Sequence, residues 1–290
     1  MRFFDEDIEL TDRDFLNFKK LVKEKCGIHL HDGKRELVRA RIGKRLREAN
    51  YKSFQQYYKY LMEEDSGAEL TQLLNVISTN LTSFFRETNH FDYLEKEILP
   101  AYLKSSRSRQ LLVWSAGCSS GEEAYSLAIC FYQSLQTHPG WSAKIFATDI
   151  STRVLATAVS GVYHGSRLQK IPFEVLRKYF QKGHGKWKGY YRIKPFIRNM
   201  VDFRQFNLMS PFVFKKGFDI IFCRNVMIYF DKAAQETLIN KFYDVLNHGG
   251  YLFIGHSESL LSIRHRFKYM KPTIYVKPAS KSMKVSRQPR

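Results

Sequence analysis

The sequence lacks what would mark a disulfide scaffold, a metal finger or a membrane span. Its 4 cysteines, Cys26, Cys118, Cys130 and Cys223, are scattered. None forms a C-x-x-C pair or has a histidine at zinc-ligand spacing, so free thiols in a reducing cytosol are expected and a metal site is not. No apolar run approaches the roughly 20 residues that cross a bilayer. The opening MRFFDEDIEL is acidic where a signal peptide needs a basic start and an apolar stretch. A cytoplasmic chain without membrane insertion is the expectation. Acid is also scarce: 28 Asp and Glu face 47 Lys and Arg, a formal net charge of +19 over 290 residues. The excess points to an acidic partner, whether nucleic acid, anionic membrane surface or protein, and charge alone does not choose. Neither an internal repeat nor a long low-complexity segment is present.

What is present fills one large or two ordinary domains, with 44% hydrophobic and 15% aromatic residues. From Thr11 to about Asn80 the pattern is helical and polar. Helix starts are expected at Thr11 or Asp12, near Lys34, at Ser53 and near Ser66, and no strand is evident. The second of these helices sets Arg35, Arg39, Lys44, Arg45 and Arg47 around a thin apolar stripe of Leu37, Val38, Ile42 and Leu46. That broad cationic face is either simply solvated or a docking surface for something acidic. The stretch ISTNLTSFFRETNHFDYLEKEILPAYL then reads as a linker helix and another helix.

Beyond it strands and helices alternate. Strands are expected at 111–115, 144–148, 201–206, 218–223 and 251–254, and helices at 122–135, 152–160 and 232–246. Such alternation predicts a mostly parallel α/β sheet with helices on both faces. Residues 161–200 break the rhythm with a Gly-x-Gly turn at Gly183 and Gly185 and short alternating runs, the mark of a small antiparallel insert. The final PASKSMKVSRQPR is basic and aperiodic, so a disordered tail is expected.

The loop SAGCSSGEE follows the first strand of the alternating region, where open α/β sheets bind ligands. Its spacing is neither G-x-G-x-x-G nor a phosphate loop. Glu122 and Glu123 open the next helix, where exposed acids gain roughly 0.3–1 kcal/mol each from the helix dipole and would repel a pyrophosphate. They read either as plain capping acids or as partners of a ligand carrying positive charge. S-adenosylmethionine (SAM) fits the second reading, having an amino group, a sulfonium, a ribose diol and no phosphate. Asp149 ends the second strand, where such folds place the acid that accepts ribose hydroxyls; capping the next helix is its alternative role. Asn207 and the Cys223, Arg224, Asn225 and Tyr229 cluster sit at two further strand ends. Arg224 belongs either to the site edge or to a pair with a core carboxylate.

The motifs NLTSFFRE, WSAGCSSGEEAYSLA, ATDIS, FDIIFCRNVMIYFD and GGYLFIGHSESL, in that order, resemble the bacterial chemotaxis receptor glutamate methyltransferases of the CheR type. The resemblance covers nearly the whole chain. It implies a Rossmann-like SAM-dependent methyltransferase sheet (residues 81–278) carrying a β-subdomain insert at 161–200. A small all-helical, basic N-terminal domain (1–80) precedes it and a basic tail (279–290) follows. It implies SAM contacts at Asn80, Thr82, Arg86, Glu123 with neighbouring Glu122, Asp149, Asn207, Leu208, Asn225 and Val226, with S-adenosylhomocysteine (SAH) as product. By resemblance alone Asn80, Thr82 and Arg86 are more than a helix cap with a surface arginine. Arg86 is then expected to hold the acceptor or the SAM carboxylate, and Tyr229 to line the transfer site. The expected partner is the acidic helical methylation region of chemoreceptors. It would be seated by Arg35, Arg39, Arg45 and Arg47, with a receptor C-terminal peptide at Gly183 and Gly185 as a second contact. The enzyme is expected to act as a monomer recruited to receptor arrays. Ala124 departs from the proline common after the paired acids, a change of little weight at a helix start. A nucleic-acid methyltransferase of the same fold is the alternative. The chain has no D/N-P-P-Y signature and no Pro-Cys or Thr-Cys nucleophile, since Cys223 follows Phe222.

Overall fold

The structure is a computed structural model that describes residues 8–105 and 108–279. Residues 1–7 of the helical region, and all of the expected tail but Ala279, lie outside the described residues. The chain opens on four helices: α1 (Asp12–Cys26), α2 (Arg35–Glu48), α3 (Phe54–Glu63) and α4 (Ala68–Ile77). Thr11 starts α1 through a capping box with Asp14, and Ser53 caps α3. On α2, Val38, Ile42 and Leu46 are buried at spacings of four, the thin stripe expected, while Leu37 is only half-buried. The three buried residues join Phe18, Val22, Phe54, Tyr57 and Leu73 in a core of their own.

Residues 78–87 are not the expected linker helix. They run as an irregular loop before α5 (Thr88–Tyr93), a π-helical turn at Leu94–Ile98, and α6 (Leu99–Ser105). The alternating region follows as β1 (Gln110–Ala116), α7 (Glu122–Leu135), β2 (Ser142–Asp149) and α8 (Thr152–Ser160). The insert comprises β3 (Val162–His164), α9 (Phe173–Tyr179), β4 (Phe180–Lys182), β5 (Tyr190–Ile193) and α10 (Pro195–Arg198). Then come β6 (Val201–Gln205), β7 (Phe218–Cys223), α11 (Lys232–Val245), β8 (Leu246–Ile254), β9 (Lys268–Lys271) and β10 (Ile274–Val276). Leu246, expected to end α11, instead opens β8.

Seven strands form one sheet in the order β6-β2-β1-β7-β8-β10-β9, and β3-β5-β4 form a small antiparallel sheet. From β6 to β8 every pairing is parallel, whereas β10 runs antiparallel to β8 and β9. The last hairpin escaped the sequence reading because β9 is fully exposed and half lysine, with no hydrophobic alternation to betray it. Chain direction across the sheet reverses at β1, whose neighbours are β2 and β7. A ligand crevice belongs at the carboxyl end of these strands.

Side chains of β1 alternate between the faces. Leu111 and Val113 join the core beneath α7, while Trp114 and Ala116 face the core that includes α11. Trp114 is fully buried; six phenylalanine rings lie 5.0–6.0 Å from it, and its indole N–H donates to Thr148 Oγ1 at 2.9 Å. The helical bundle docks on the sheet domain at several points. Residues Ile28 and Phe230 form a β-bridge beside the His29 N–H to Tyr229 carbonyl bond (2.7 Å). Asn75 on α4 accepts from the Ser151 hydroxyl at 2.8 Å at the start of α8. Trp114→Ala is expected to cost about 3–5 kcal/mol of stability through cavity formation. Urea unfolding followed by circular dichroism measures the loss, and a change under 1 kcal/mol would refute this account of the core.

Candidate SAM-binding active site

A cleft partly open to solvent lies at the carboxyl ends of β1, β2 and β7, where open α/β sheets bind small molecules. The loop from β1 to α7 forms its floor. Gly117 and Gly121 have φ of 86° and 94°. A Cβ on Gly117 would sit 2.4 Å from Val226 Cγ2, and one on Gly121 2.9 Å from Ala158 Cβ. Both glycines are therefore required by backbone conformation and by close approach.

Glu122 and Glu123 do not act as a pair. Successive helical residues point about 100° apart, so only one of them can face the cleft. Glu123 lines it. Glu122 is fully buried and turned away, accepting from the Ser120 hydroxyl at 2.7 Å and ion-paired to Arg167 at 2.8 Å. Even the Glu123 carboxylate is already partnered within the protein, by the Ser115 hydroxyl (2.7 Å) and by Arg224 Nε (2.8 Å). Much of the positive charge that the two acids demand is thus supplied by Arg167 and Arg224.

Asp149 stands at the end of β2 as expected. Its oxygens accept from the N–H groups of Ser119 (2.8 Å) and Ser151 (2.9 Å), leaving lone pairs for hydroxyl donors. Burial pushes its carboxyl above the usual range, and backbone N–H groups pull it partly back. Asn207 and Leu208 follow β6 and line the cleft; Asn207 Nδ2 donates to the Lys25 carbonyl and so ties this wall to the helical bundle. Asn225, Val226 and Tyr229 line the side beyond β7.

The loop at 78–87 crosses the mouth, bringing Asn80, Thr82 and Arg86 to the lining. The Ser119 hydroxyl donates to the Asn80 carbonyl (2.9 Å), the Phe85 N–H donates to Ser126 Oγ (2.9 Å), and Arg86 donates to the Leu81 carbonyl (3.1 Å). Residue-level reasoning missed this wall because its bonds run to α7 and the loop before it, some 40 residues away. Cys26 and Ile28 of the bundle also line the cleft without having been expected there. Cys26 has its thiol pushed up to about 11 by burial, which leaves it little thiolate at neutral pH.

Arg224 resolves as a core partner that also borders the cleft. Its side chain is 2% exposed and reaches Glu123, Glu87 (3.3 Å), the Arg86 carbonyl (2.7 Å) and His90 Nδ1 (3.2 Å). Glu87, His90 and His256 bring three ligand-type atoms within 4.8 Å of one another. Because a guanidinium only donates, His90 Nδ1 accepts from Arg224. His90 Nε2 donates to Thr273 Oγ1 (2.7 Å), whose own hydroxyl donates to Pro272. A metal ion there would have to displace Arg224.

The lining fits SAM. It offers a buried acid at the ribose position, apolar walls in Ile150, Leu208 and Val226, and no lysine for a phosphate. A doubly wound sheet with this cleft defines a SAM-dependent methyltransferase. The family model described as "CheR methyltransferase, SAM binding domain" matches residues 80–276, and "CheR methyltransferase, all-alpha domain" matches 13–78. This chain belongs to the CheR methyltransferase family. It is 38% identical over 272 residues to a chemotaxis protein methyltransferase of Escherichia coli, covering 93% of this chain and 92% of that one. With the chemotaxis protein methyltransferase of Borreliella burgdorferi it shares 37% identity, over 94% and 97% of the two chains. With that of Salmonella typhimurium it shares 38%, over 92% and 91%. Among the described residues no helix is long and apolar enough to cross a membrane.

Burial, then Arg224 and His256, depress His90 from 6.5 to about 3. The unfolded chain therefore takes up a proton that the folded state refuses. Stability is fully present above pH 6.5 and is lost as pH falls from there toward 3. The melting temperature is expected to fall more steeply between pH 7 and 4.5 in the wild type than in His90→Gln; parallel slopes would contradict the buried neutral imidazole.

Proposed function

We propose that this enzyme methylates glutamate side chains of chemoreceptors, forming methyl esters that adapt the sensory signal. The observation that carries the reading is the convergence of Arg86 and Tyr229 on the same cleft as Asp149 and Glu123. Bound SAM supplies an electrophilic methyl group on a sulfonium. The acceptor carboxylate is ionised at pH 7, with an unperturbed pKa of about 4.3, so no general base is needed. The protein's task is alignment and exclusion of water, and such orientation is worth about 7–11 kcal/mol. Asp149 would hold the ribose, Glu123 the ammonium end, and Asn80, Thr82, Asn207, Leu208, Asn225 and Val226 the rest of SAM. Arg86, anchored to Leu81 at the mouth, would hold a carboxylate, and Tyr229 would line the path of the methyl group.

The acidic methylation helices of a receptor would dock on α2. Arg39 and Arg47 are exposed there, and Arg39 pairs with a surface neighbour, Glu36. Arg35 is half-buried against Asp12 and the Leu10 carbonyl. Arg45 drops out of the expected set: its guanidinium makes a two-bond pair with Glu69, itself bonded to Tyr57, inside the bundle. Surface pairs like Arg39–Glu36 are worth so little that a carboxylate-bearing partner can replace them. On α2, Arg41 reaches the carbonyls of Val76, Ile77 and Ser78 at the rim of the cleft, so a partner seated on this helix lies beside the reacting groups. The insert supplies a second contact. Residues 161–200 carry 10 Lys and Arg and 1 Glu, and a groove beside Gly183, His184 and Trp187, close to the Gly185 turn, would take a receptor tail peptide. The enzyme would act as a cytoplasmic monomer recruited to receptor arrays.

Radiolabelled SAM is expected to give base-labile label on receptor cytoplasmic fragments; label on RNA, or none on receptor, overturns the reading. Arg86→Ala should lower kcat/KM by about 10- to 100-fold, the worth of a hydrogen bond to a charged group, and Tyr229→Phe should lower kcat. Unchanged kinetics in either variant removes that residue from its role. The Michaelis constant for receptor should rise with ionic strength; a salt-independent value argues against docking on α2.

A further inference from the structure

The wall of the cleft beyond β7 is held from outside itself. Asn225 leaves the strand at φ 58°, in the left-handed region that asparagine enters more readily than most residues. The N–H groups of Asn225, Val226, Met227 and Ile228 then converge on one point, the kind of donor concavity that binds an anion. The anion is Glu258. Its Oε1 accepts from Val226 (2.9 Å), Met227 (2.7 Å) and Ile228 (3.2 Å). Its Oε2 accepts from Asn225 (3.0 Å) and from Gly255 (2.6 Å), just past the end of β8. Five backbone donors thus meet a carboxylate that is 8% exposed and does not line the cleft.

The clamp reaches the reacting groups through what it holds. Val226 packs over Gly117 so closely that a Cβ there would overlap it, which shapes the floor beneath the cofactor. Tyr229 follows Ile228 directly and lines the cleft. On the far side, a Cβ on Gly255 would stand 2.6 Å from Asn225 Nδ2 and 2.7 Å from Asn225 N. The end of β8 and the clamped segment therefore fit together only with glycine at that position.

We infer that Glu258 is the positioning residue of this site, setting the Asn225–Tyr229 segment against the cofactor cleft through backbone hydrogen bonds alone. The inference rests on the methyl-transfer reading given above for Tyr229. Glu258 touches neither SAM nor acceptor, and it acts on both. Replacing it by glutamine keeps length and volume, yet an amide has one acceptor oxygen. Its NH2 must then oppose either the Asn225 and Gly255 donors or the three donors that follow.

Calorimetric titration with SAH, thermal melting and receptor-methylation kinetics on wild type, Glu258→Gln and Gly255→Ala test this. Glu258→Gln is expected to weaken SAH binding by about tenfold or more and to lower kcat, as a misplaced but folded site does. Gly255→Ala pushes on Asn225 while leaving the carboxylate intact, and should reproduce both changes. A Glu258→Gln protein with wild-type SAH affinity and kcat overturns the inference, whatever its melting temperature. If Glu258→Gln does not fold, Gly255→Ala decides, and wild-type binding and turnover there overturn the inference equally. Wild-type enzyme that binds SAH but methylates no receptor fragment instead overturns the acceptor assignment, and SAH affinity in the two variants then judges the clamp.

Discussion

A single buried guanidinium holds the site together. Arg224 leaves the end of β7 and meets Glu123 at the start of α7, the carbonyl of Arg86 and carboxylate of Glu87 in the mouth loop, and His90 on α5. It is stacked near the rings of Phe91 and Phe222. A charge so deep is costly unless it is paired and hydrogen-bonded, and removing one member of such a set strands the others, typically at 3–5 kcal/mol. Three segments far apart in sequence are thereby obliged to meet at one place, the edge of the cofactor cleft.

Around this hub the backbone is held in conformations it would not choose. Of the six non-glycine residues with positive φ among the described residues, Phe85, Glu87, Ser119 and Asn225 flank the cleft. Each is pinned by bonds from another element: Phe85 to Ser126, Glu87 to Arg224, Ser119 to Asp149, Asn225 to Glu258. Strain of this kind persists where the surroundings over-determine it, and it fixes a site before ligand arrives. The helical bundle shares in this, since Ile28 and the bond from His29 to Tyr229 make it part of the cleft wall.

The helices at 122–135 and 152–160 and the strand at 218–223 were legible to the residue, because their hydrophobic periods are unbroken and glycine or polar residues bound them. The cationic stripe of α2 was equally plain. Its chemistry was not, for Arg41 and Arg45 are engaged by α4, whose nearness no local pattern records. The loop bearing Asn80 and Arg86 looked like a linker helix for the same reason. Its backbone hydrogen bonds are satisfied by the sheet domain rather than by its own turns.

By itself the sequence determined the class of fold, the position of the ligand crevice and the acid at the end of β2, since periodicity, loop glycines and the alternation of strands with helices are short-range properties of the chain. Tertiary structure alone decided which of two adjacent glutamates faces the cleft. It also decided that Arg224 neutralises that glutamate, and that Glu258 holds a segment 30 residues upstream. Those outcomes depend on side-chain direction and on buried charges finding partners across the fold, and both are settled only when distant segments pack.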